Sequence, residues 1–282
     1  MHILAATDFS PRSEIAIAKA ARLAKRCGAN LTLLHAIDKS FFERLLASDQ
    51  EAAAQTDAEA KLREIARAIG AEVQVRAAVG DSAETIVGVA TETKADLIVI
   101  GDHGESRLRD LFLGTTAKNT IERSSAALLI VKNERLGDHS KILLATDFSE
   151  GSKEAIGYAY KLFADADFLI FNAYLAPEDI LSGFYSVATS EAGTTLEALR
   201  NQSLKAMDRF VASLNIPAER LSSSVRASTN PSDDILQFSR DEGVDLIVVG
   251  TKGVGGLMPL IIGSATDSLL RHSEVDMLVL KV

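Results

Sequence analysis

The sequence of 282 residues has one cysteine, no tryptophan and no long hydrophobic run. A single thiol, Cys27, excludes a disulfide within the chain and a zinc site built from several cysteines. The longest strongly apolar runs, such as 97–100 and 128–131, are far shorter than the roughly 20 residues needed to cross a bilayer. The chain also opens without the basic stretch and apolar segment of a secretion signal. These absences predict a cytoplasmic protein with no membrane partner.

Positive charge is scarce as well. Lys and Arg number 30 against 39 Asp and Glu, which gives a net charge of −9. Binding of nucleic acid depends largely on Lys and Arg that neutralise phosphates, and no basic stripe with interleaved aromatic residues occurs in the sequence. We therefore expect no nucleic-acid partner. A phosphate ligand would have to be attracted by something other than a field of basic side chains.

The chain contains an internal repeat, which is the strongest single indication of its organisation. Segment 2–10, HILAATDFS, returns as segment 141–149, KILLATDFS, with seven of nine positions identical. Segment 95–101, ADLIVIG, returns as 244–250, VDLIVVG, with five of seven identical. A prior of about 150 residues per domain agrees with two copies of one domain. The predicted domains are 1–135 and 140–282, with a polar connector around Gly137.

Each copy alternates strand-like and helix-like segments. The predicted strands lie at 3–6, 31–36, 73–79, 97–100 and 127–131 in the first copy, and at 142–145, 168–173, 223–227, 246–249 and 277–282 in the second. Ser10 is a plausible N-cap followed by Pro11 at the first helical position. The alternation predicts an α/β fold with a parallel sheet covered by helices on both faces. Ligands in such sheets bind at the carboxyl ends of the strands.

Glycines recur with the same spacing after the fourth strand of each copy. Gly101, Gly104 and Gly114-Thr115 form the pattern G-x2-G-x9-G-[S/T], and Gly250, Gly253 and Gly263-Ser264 repeat it. The first two glycines let the backbone approach a ligand closely, and the third opens a helix whose free N–H groups suit a phosphate. Turn formation and helix capping alone are the alternative, and Ser264 with Asp267 resembles a capping box. The equal spacing in both copies favours a ligand site.

Thr-Asp-Phe-Ser after the first strand, together with this glycine pattern, resembles the universal stress protein family, here as a tandem two-domain member. The resemblance implies two tandem five-stranded parallel sheets of strand order 3-2-1-4-5, each with helices on both faces and ATP at the strand carboxyl ends. It also implies nucleotide binding, because the family divides into nucleotide-binding members that have the glycine motif and non-binding members that lack it. One departure is alanine at positions 6 and 145, where the family often has proline before Thr-Asp.

The resemblance further assigns nucleotide-binding residues in both copies. Asp8 would contact the adenosine and the Ala36 backbone the adenine. The strand end and phosphate turn of the first copy would supply Ile100, Gly101, His103, Gly104, Gly114, Thr115 and Thr116. The matching residues of the second copy are Asp147, Ala173, Val249, Gly250, Lys252, Gly253, Gly263, Ser264 and Ala265. Any Mg²⁺ would be held through the nucleotide phosphates rather than by a metal site of the protein.

These assignments predict a regulatory or stress-response protein that holds ATP, or ADP or AMP, without a catalytic residue. A weak ATPase is one alternative, because Asp8, His103 and Thr115 could form an acid–base set. However, Lys252 replaces His103 in the second copy. An interaction module with vestigial nucleotide sites is the other alternative.

The charges around the two glycine turns differ. Asp102 and Glu105 in the first copy would repel a polyphosphate, whereas Lys252 in the second would attract it. The second site is therefore expected to bind nucleotide more tightly. Family members also commonly dimerise through their last strands, so the resemblance implies an intrachain pseudo-dimer through 127–131 and 277–282, with a possible homodimer through another surface.

Overall fold

The computed structural model describes residues 1–38, 48–70, 72–102, 114–176, 190–251 and 263–281. Its contacts divide the chain into two units. The first contains Met1–Asp138 together with Asp276–Lys281, and the second contains His139–Val275. The last strand of the chain thus groups with the first unit, although it comes from the second copy of the sequence repeat.

The first unit alternates strands and helices along the chain. Its elements are β1 (His2–Thr7), α1 (Pro11–Cys27), β2 (Asn30–Ile37), α2 (Ser48–Ile69), β3 (Val73–Val79), α3 (Ser82–Glu92), β4 (Leu97–Gly101), α4 (Thr115–Arg123) and β5 (Ala127–Val131). These five strands are parallel and lie in the order β3-β2-β1-β4-β5. The strand order 3-2-1-4-5 that the family resemblance implies is confirmed in this unit.

The second unit repeats this arrangement. Its elements are β6 (Lys141–Ala145), α5 (Glu150–Leu162), β7 (Asp167–Leu175), α6 (Ser190–Ala212), a 3₁₀ turn (Ala218–Arg220), β8 (Leu221–Ser228), α7 (Pro231–Asp241), β9 (Leu246–Gly250) and α8 (Ser264–His272). Its four strands pair in parallel in the order β8-β7-β6-β9. The α/β fold with two tandem copies is therefore confirmed.

The strand β10 (Asp276–Leu280) pairs with β5 in antiparallel orientation. Met277 lies opposite Ile130, and Val279 lies opposite Leu128. The sheet is consequently mixed rather than purely parallel, and the two last strands that the sequence analysis singled out are hydrogen-bonded to each other. All five residues of each strand are buried, so apolar side chains hold this pair together from both faces of the sheet.

The helices begin and end where short-range chemistry requires. The Ser10 side chain accepts a hydrogen bond from Ser13 N–H, and Pro11 occupies the first turn of α1, as predicted. Gly28 ends α1 with φ 59°, a left-handed conformation that glycine adopts at little cost. In the second unit Ser149 caps α5 in the same way. No helix within the described residues is long and apolar enough to cross a membrane.

Two repeated aspartates fasten the first strand of each unit to the fourth. Asp96, just before β4, accepts a hydrogen bond from His2 N–H at 2.8 Å. Asp245, just before β9, accepts one from Ser140 N–H at 2.8 Å. Both belong to the repeated segment that ends in the first glycine of the motif. The first motif glycine of each copy therefore ends a strand whose register is fixed at its other end by this aspartate.

Candidate functional site

A cleft of about 240 Å³ opens at the carboxyl ends of β1, β2 and β4 in the first unit. Small-molecule pockets commonly measure about 300–1,000 Å³, so this volume suits a small ligand or one part of a larger one. The lining includes every described site residue that the sequence assigned to the first copy: Asp8, Ala36, Ile100, Gly101, Gly114, Thr115 and Thr116. Residues more than 100 positions apart in the chain thus meet at one edge of the sheet.

The loop after β1 brings Asp8 to the cleft. The Thr7 hydroxyl accepts a hydrogen bond from Phe9 N–H at 2.9 Å, and Asp8 Oδ1 accepts one from Ser10 N–H at 3.0 Å. Phe9 has φ 64°, which is uncommon for a bulky residue. The two side-chain hydrogen bonds hold the turn in that conformation. They direct the chain from the strand into α1 with the carboxylate beside the cleft.

The hydrogen bonds around Asp8 also set its charge. Partial burial raises the pKa of the Asp8 carboxyl, but hydrogen bonds from the Ser10 side chain and N–H and from the Ser13 side chain outweigh that effect. The pKa therefore lies below its ordinary value of about 3.9. At neutral pH Asp8 is an ionised acceptor, able to receive hydrogen bonds from hydroxyl or N–H donors of a ligand.

The start of α4 lies against the end of β4. A Cβ on Gly114 would approach the carbonyl oxygen of Asp102 to 3.3 Å, so a glycine here permits the close approach of helix and strand end. Gly114 is also the N-cap of α4 and supplies no side-chain cap. The N–H groups of the first turn are therefore available to a ligand, unlike those of α1, where Ser10 caps the turn.

The first turns of three helices contribute to the cleft lining. Ser13 belongs to the first turn of α1, Ser82 begins α3, and Thr115 begins α4. Helix N-termini carry partial positive charge from the aligned peptide dipoles. Ser10 caps the first turn of α1 and the Asp81 carboxylate caps that of α3, so the uncapped start of α4 is the one of the three whose N–H groups can attract an anion without a basic side chain.

The sequence reasoning missed Lys132 as a component of the site. Asp102, which lines the cleft, forms a buried ion pair with Lys132, whose Nζ lies 3.3 Å from Asp102 Oδ1. Burial lowers the pKa of Lys132, while Asp102 opposes that effect. The premise that Asp102 simply repels a polyphosphate is therefore corrected, because its charge is balanced by this lysine. A lysine directly after the last buried strand of the copy was the available sequence signal.

The second copy places its predicted residues on the equivalent elements. Asp147 follows β6, Ala173 lies in β7, Val249 and Gly250 end β9, and Gly263, Ser264 and Ala265 form the start of α8. The Thr266 hydroxyl donates a hydrogen bond to the Gly250 carbonyl at 3.3 Å. This contact joins the end of β9 to the first turn of α8.

Some predicted residues fall outside the described part of the chain. These are His103 and Gly104 in the first copy and Lys252 and Gly253 in the second, together with Glu105. Their assignments stay predictions.

The capping box expected at Ser264 is wrong. Gly263 is the N-cap of α8, and Ser264 is already helical, so its side chain is one position too late to cap. Asp267 instead accepts a hydrogen bond from Arg271 Nε at 2.8 Å, one helical turn later. Both units therefore begin this helix with a glycine rather than with a capping side chain.

Comparison with known proteins agrees with this organisation. The sequence model of the universal stress protein family matches residues 1–132 and 139–281. The chain is 28% identical over 153 residues to the universal stress protein MJ0577 of Methanocaldococcus jannaschii, a match that covers 47% of this chain and 94% of that protein. A universal stress protein of Mycolicibacterium smegmatis is 23% identical over 297 residues and is matched over 99% of this chain and 96% of its own.

A solved structure shares the fold over the whole chain. The crystal structure of a universal stress protein from Archaeoglobus fulgidus superposes with a TM-score of 0.70 at 19% identity, covering 99% of this chain and 97% of that one. Two family matches in tandem, on two units built alike, leave one assignment: the chain belongs to the universal stress protein family.

Proposed function

We propose that the chain is an adenine-nucleotide-binding protein of the stress response, which holds ATP, ADP or AMP at the carboxyl ends of its strands. The observation that carries the proposal is the convergence of all seven described first-copy site residues on one cleft. The sequence assigned them through the resemblance to the universal stress protein family, with the glycine spacing as the motif that carries it. Their position around one cavity is what a common ligand position would require, and it supports the proposal.

The proposed phosphate end of the site is the start of α4. Gly114, Thr115 and Thr116 line the cleft, and the first turn of α4 has no side-chain cap. Backbone N–H groups at a helix N-terminus bind phosphate oxygens directly. The hydroxyls of Thr115 and Thr116 add further donors. This end would therefore hold phosphate by backbone and hydroxyl groups, in a protein of net charge −9.

The proposed adenosine end is formed by β1 and β2. Asp8 is ionised at neutral pH and can only accept hydrogen bonds, which suits the hydroxyl donors of a ribose. Ala36, near the end of β2, presents backbone close to the cleft with only a methyl side chain. A flat base can approach such a position closely.

The described residues give no sign of a metal site of the protein's own. Within them, no group of three or more His, Cys, Asp or Glu side chains is placed to hold a metal ion. Mg²⁺ usually binds through substrate phosphates and one or two carboxylates. An accompanying Mg²⁺ would accordingly be held through the nucleotide phosphates.

Titration calorimetry with ATP, ADP and AMP tests the proposal directly. We expect two sites per chain, and each single variant, Gly114→Asp or Gly263→Asp, should remove one. Aspartate is a favourable N-cap residue, and both glycines have φ and ψ that aspartate adopts, near −52° and 136° and near −58° and 148°. A Cβ meets no described atom within 4 Å at Gly263, whereas at Gly114 it would press on the Asp102 carbonyl at 3.3 Å, so the loss in Gly114→Asp combines the new charge with a small shift of the helix start. The new carboxylate would occupy the phosphate position, so affinity at that site should fall by about 100-fold, or about 2.7 kcal/mol.

Gly137→Asp is the matched control. It adds the same charge in the connector, where a Cβ meets nothing within 4 Å, and should leave both sites intact. Absence of binding heat and of a thermal shift with millimolar nucleotide in the unsubstituted protein would overturn the proposal. Sustained phosphate release that is lost in Gly114→Asp would favour the weak-ATPase alternative instead.

A further inference from the structure

The lining of the first-unit cleft poses an electrostatic problem for a phosphorylated ligand. Among its described residues the charged side chains are two carboxylates, Asp8 and Asp102, and none is basic. Two uncompensated negative charges would oppose the approach of a phosphate in a partly desolvated cleft. Asp102 belongs to the strand end against which the proposed phosphate end packs, since a Cβ on Gly114 would lie 3.3 Å from its backbone carbonyl oxygen.

Lys132 neutralises one of these two charges, that of Asp102, from a position next to the cleft. Its side chain is 4% exposed and that of Asp102 is 8% exposed, so the pair interacts through protein rather than through water. The strand end that carries Lys132 is fixed, because Lys132 N–H and Asn133 N–H both donate to Asp276 Oδ1, at 2.9 and 3.1 Å. The ammonium group is therefore held at a defined position next to the cleft.

The fold itself does not require this pair. The positions of Asp102 and Lys132 are occupied in the second copy by Thr251 and Lys281. Lys281 donates to the Glu122 carbonyl at 2.7 Å instead of forming the equivalent ion pair. A buried ion pair also contributes little net stability compared with apolar side chains of similar volume. The first copy thus retains a pair whose role is not explained by stability.

We propose that Lys132 is a specificity-determining residue of this cleft. By neutralising Asp102 it lets the first-copy site bind phosphorylated nucleotide in preference to the uncharged nucleoside. The inference rests on the proposed nucleotide-binding function and adds a residue and a selectivity to it. Lys132 acts through Asp102 and through the field of its own charge, and it need not contact the ligand.

The test compares ATP with adenosine, in the Gly263→Asp background so that only the first site is read. Lys132→Met should weaken ATP binding by about tenfold or more, while adenosine binding changes by less than about twofold. Asp102→Asn should tighten ATP binding by about tenfold, because Lys132 is then uncompensated. The double variant should return to within about threefold of the parent protein, and Lys132→Arg should keep the preference for ATP.

Each outcome decides the question. An unchanged ratio of ATP to adenosine affinity in Lys132→Met, or an equal loss for both ligands, overturns the role in selectivity and leaves nucleotide binding standing. If Lys132→Met does not fold, Asp102→Asn decides alone, and no gain in ATP affinity overturns the inference. Binding of neither ligand by the parent protein would overturn the proposed function together with this inference.

Discussion

The loop after the first strand has the same hydrogen bonds in both copies of the repeat, whereas the charged residues around it differ. In both, a threonine hydroxyl accepts from the N–H two residues on, at 2.9 Å. In both, the aspartate accepts from the serine N–H two residues on, at 3.0 and 3.1 Å. Phe9 and Phe148 have the same φ of 64°. Four residues of identical sequence thus specify a turn through their own hydrogen bonds.

The side chains that donate hydrogen bonds to this loop differ between the two copies. In the first copy His35 Nδ1 donates to the Thr7 carbonyl at 2.7 Å, and in the second Asn172 Nδ2 donates to the Thr146 carbonyl at 2.8 Å. Different side chains supply the same donor to the same backbone group. The loop is therefore conserved in geometry between the copies even where its neighbours are not conserved in sequence.

The buried charges have diverged further. Lys19 of α1 forms an ion pair with Asp276 of β10 at 2.5 Å, and the two side chains are 5% and 0% exposed. Tyr158 and Ala127 occupy the corresponding positions of the other copy. The comparison teaches that short polar motifs persist after duplication, while buried ion pairs were acquired or lost by one copy alone.

The largest expected effect comes from this one-sided ion pair. Lys19→Met leaves the Asp276 carboxylate buried without its cation, so the free energy of unfolding should fall by about 3–5 kcal/mol. Urea denaturation followed by circular dichroism measures the change. Arg26→Met is the matched control, because its pair with Asp138 is partly exposed with a separation of 3.8 Å and should be worth about 0–1 kcal/mol.

A double variant shows how much of the lost stability is due to the unpaired carboxylate of Asp276 and how much to other contacts of Lys19. Asp276→Asn keeps an acceptor for Lys132 N–H and Asn133 N–H, so Lys19→Met combined with Asp276→Asn should recover most of the lost stability. Equal losses for Lys19→Met and Arg26→Met would show that the buried pair is no more important than an exposed one.

A smaller effect is expected when the aspartate of the first copy, Asp102, is introduced at the equivalent position of the second copy, Thr251. Since Lys132 balances Asp102, the charge difference that still favours the second site in the sequence is Lys252 against Glu105, and from it we predict that the second site binds ATP more tightly than the first. In the Gly114→Asp background, Thr251→Asp should weaken ATP binding at the second site by about tenfold. Lys281 is engaged by the Glu122 carbonyl and does not serve as the lysine partner that Asp102 has in the first copy.

Thr251→Asn is the control for shape, since it differs from Thr251→Asp only in charge and proton. Calorimetry with ATP and adenosine distinguishes the two. The idea that strand-end charge sets the affinity fails if the two variants bind ATP equally well.

The smallest expected effect is the dependence of stability on the charge of Asp8. Its folded-state pKa is lowered, so the ionised carboxylate adds stability above pH of about 3.9 and loses it as the pH falls through the folded-state pKa. Asp8→Asn should lower the free energy of unfolding by about 0.5–1 kcal/mol at pH 7. The difference from the parent protein should disappear near pH of about 2, as measured by thermal unfolding across pH.

Asp165→Asn is the control, because Asp165 is exposed at the surface. A pH-independent difference for Asp8→Asn would contradict the assignment of its effect to ionisation.

Much of the first-copy site could be predicted from the sequence because its residues follow strands. Asp8, Ala36 and Gly101 each lie at or just after the carboxyl end of a buried strand, and parallel strands bring those ends to one edge. Ser82 and Ile86 also line the cleft but were not predicted, since they lie on a helix whose rotation about its axis is set by packing. Lys132 was not predicted for a related reason, because its ion-pair partner Asp102 is 30 residues away in the sequence.

The strand order of the first unit was expected from the resemblance to the universal stress protein family. By itself the sequence determined the duplication, the alternation of strands and helices and the capped start of α1. These depend on local hydrogen bonds and on apolar periodicity, which are written in consecutive residues. An association of β10 with β5 was expected from the family resemblance, but only the tertiary structure decided that Asp102 and Asp276 are neutralised by Lys132 and Lys19. The electrostatic effect of a buried carboxylate depends on whether the fold places a cation within a few ångströms of it. No short sequence motif specifies that distance.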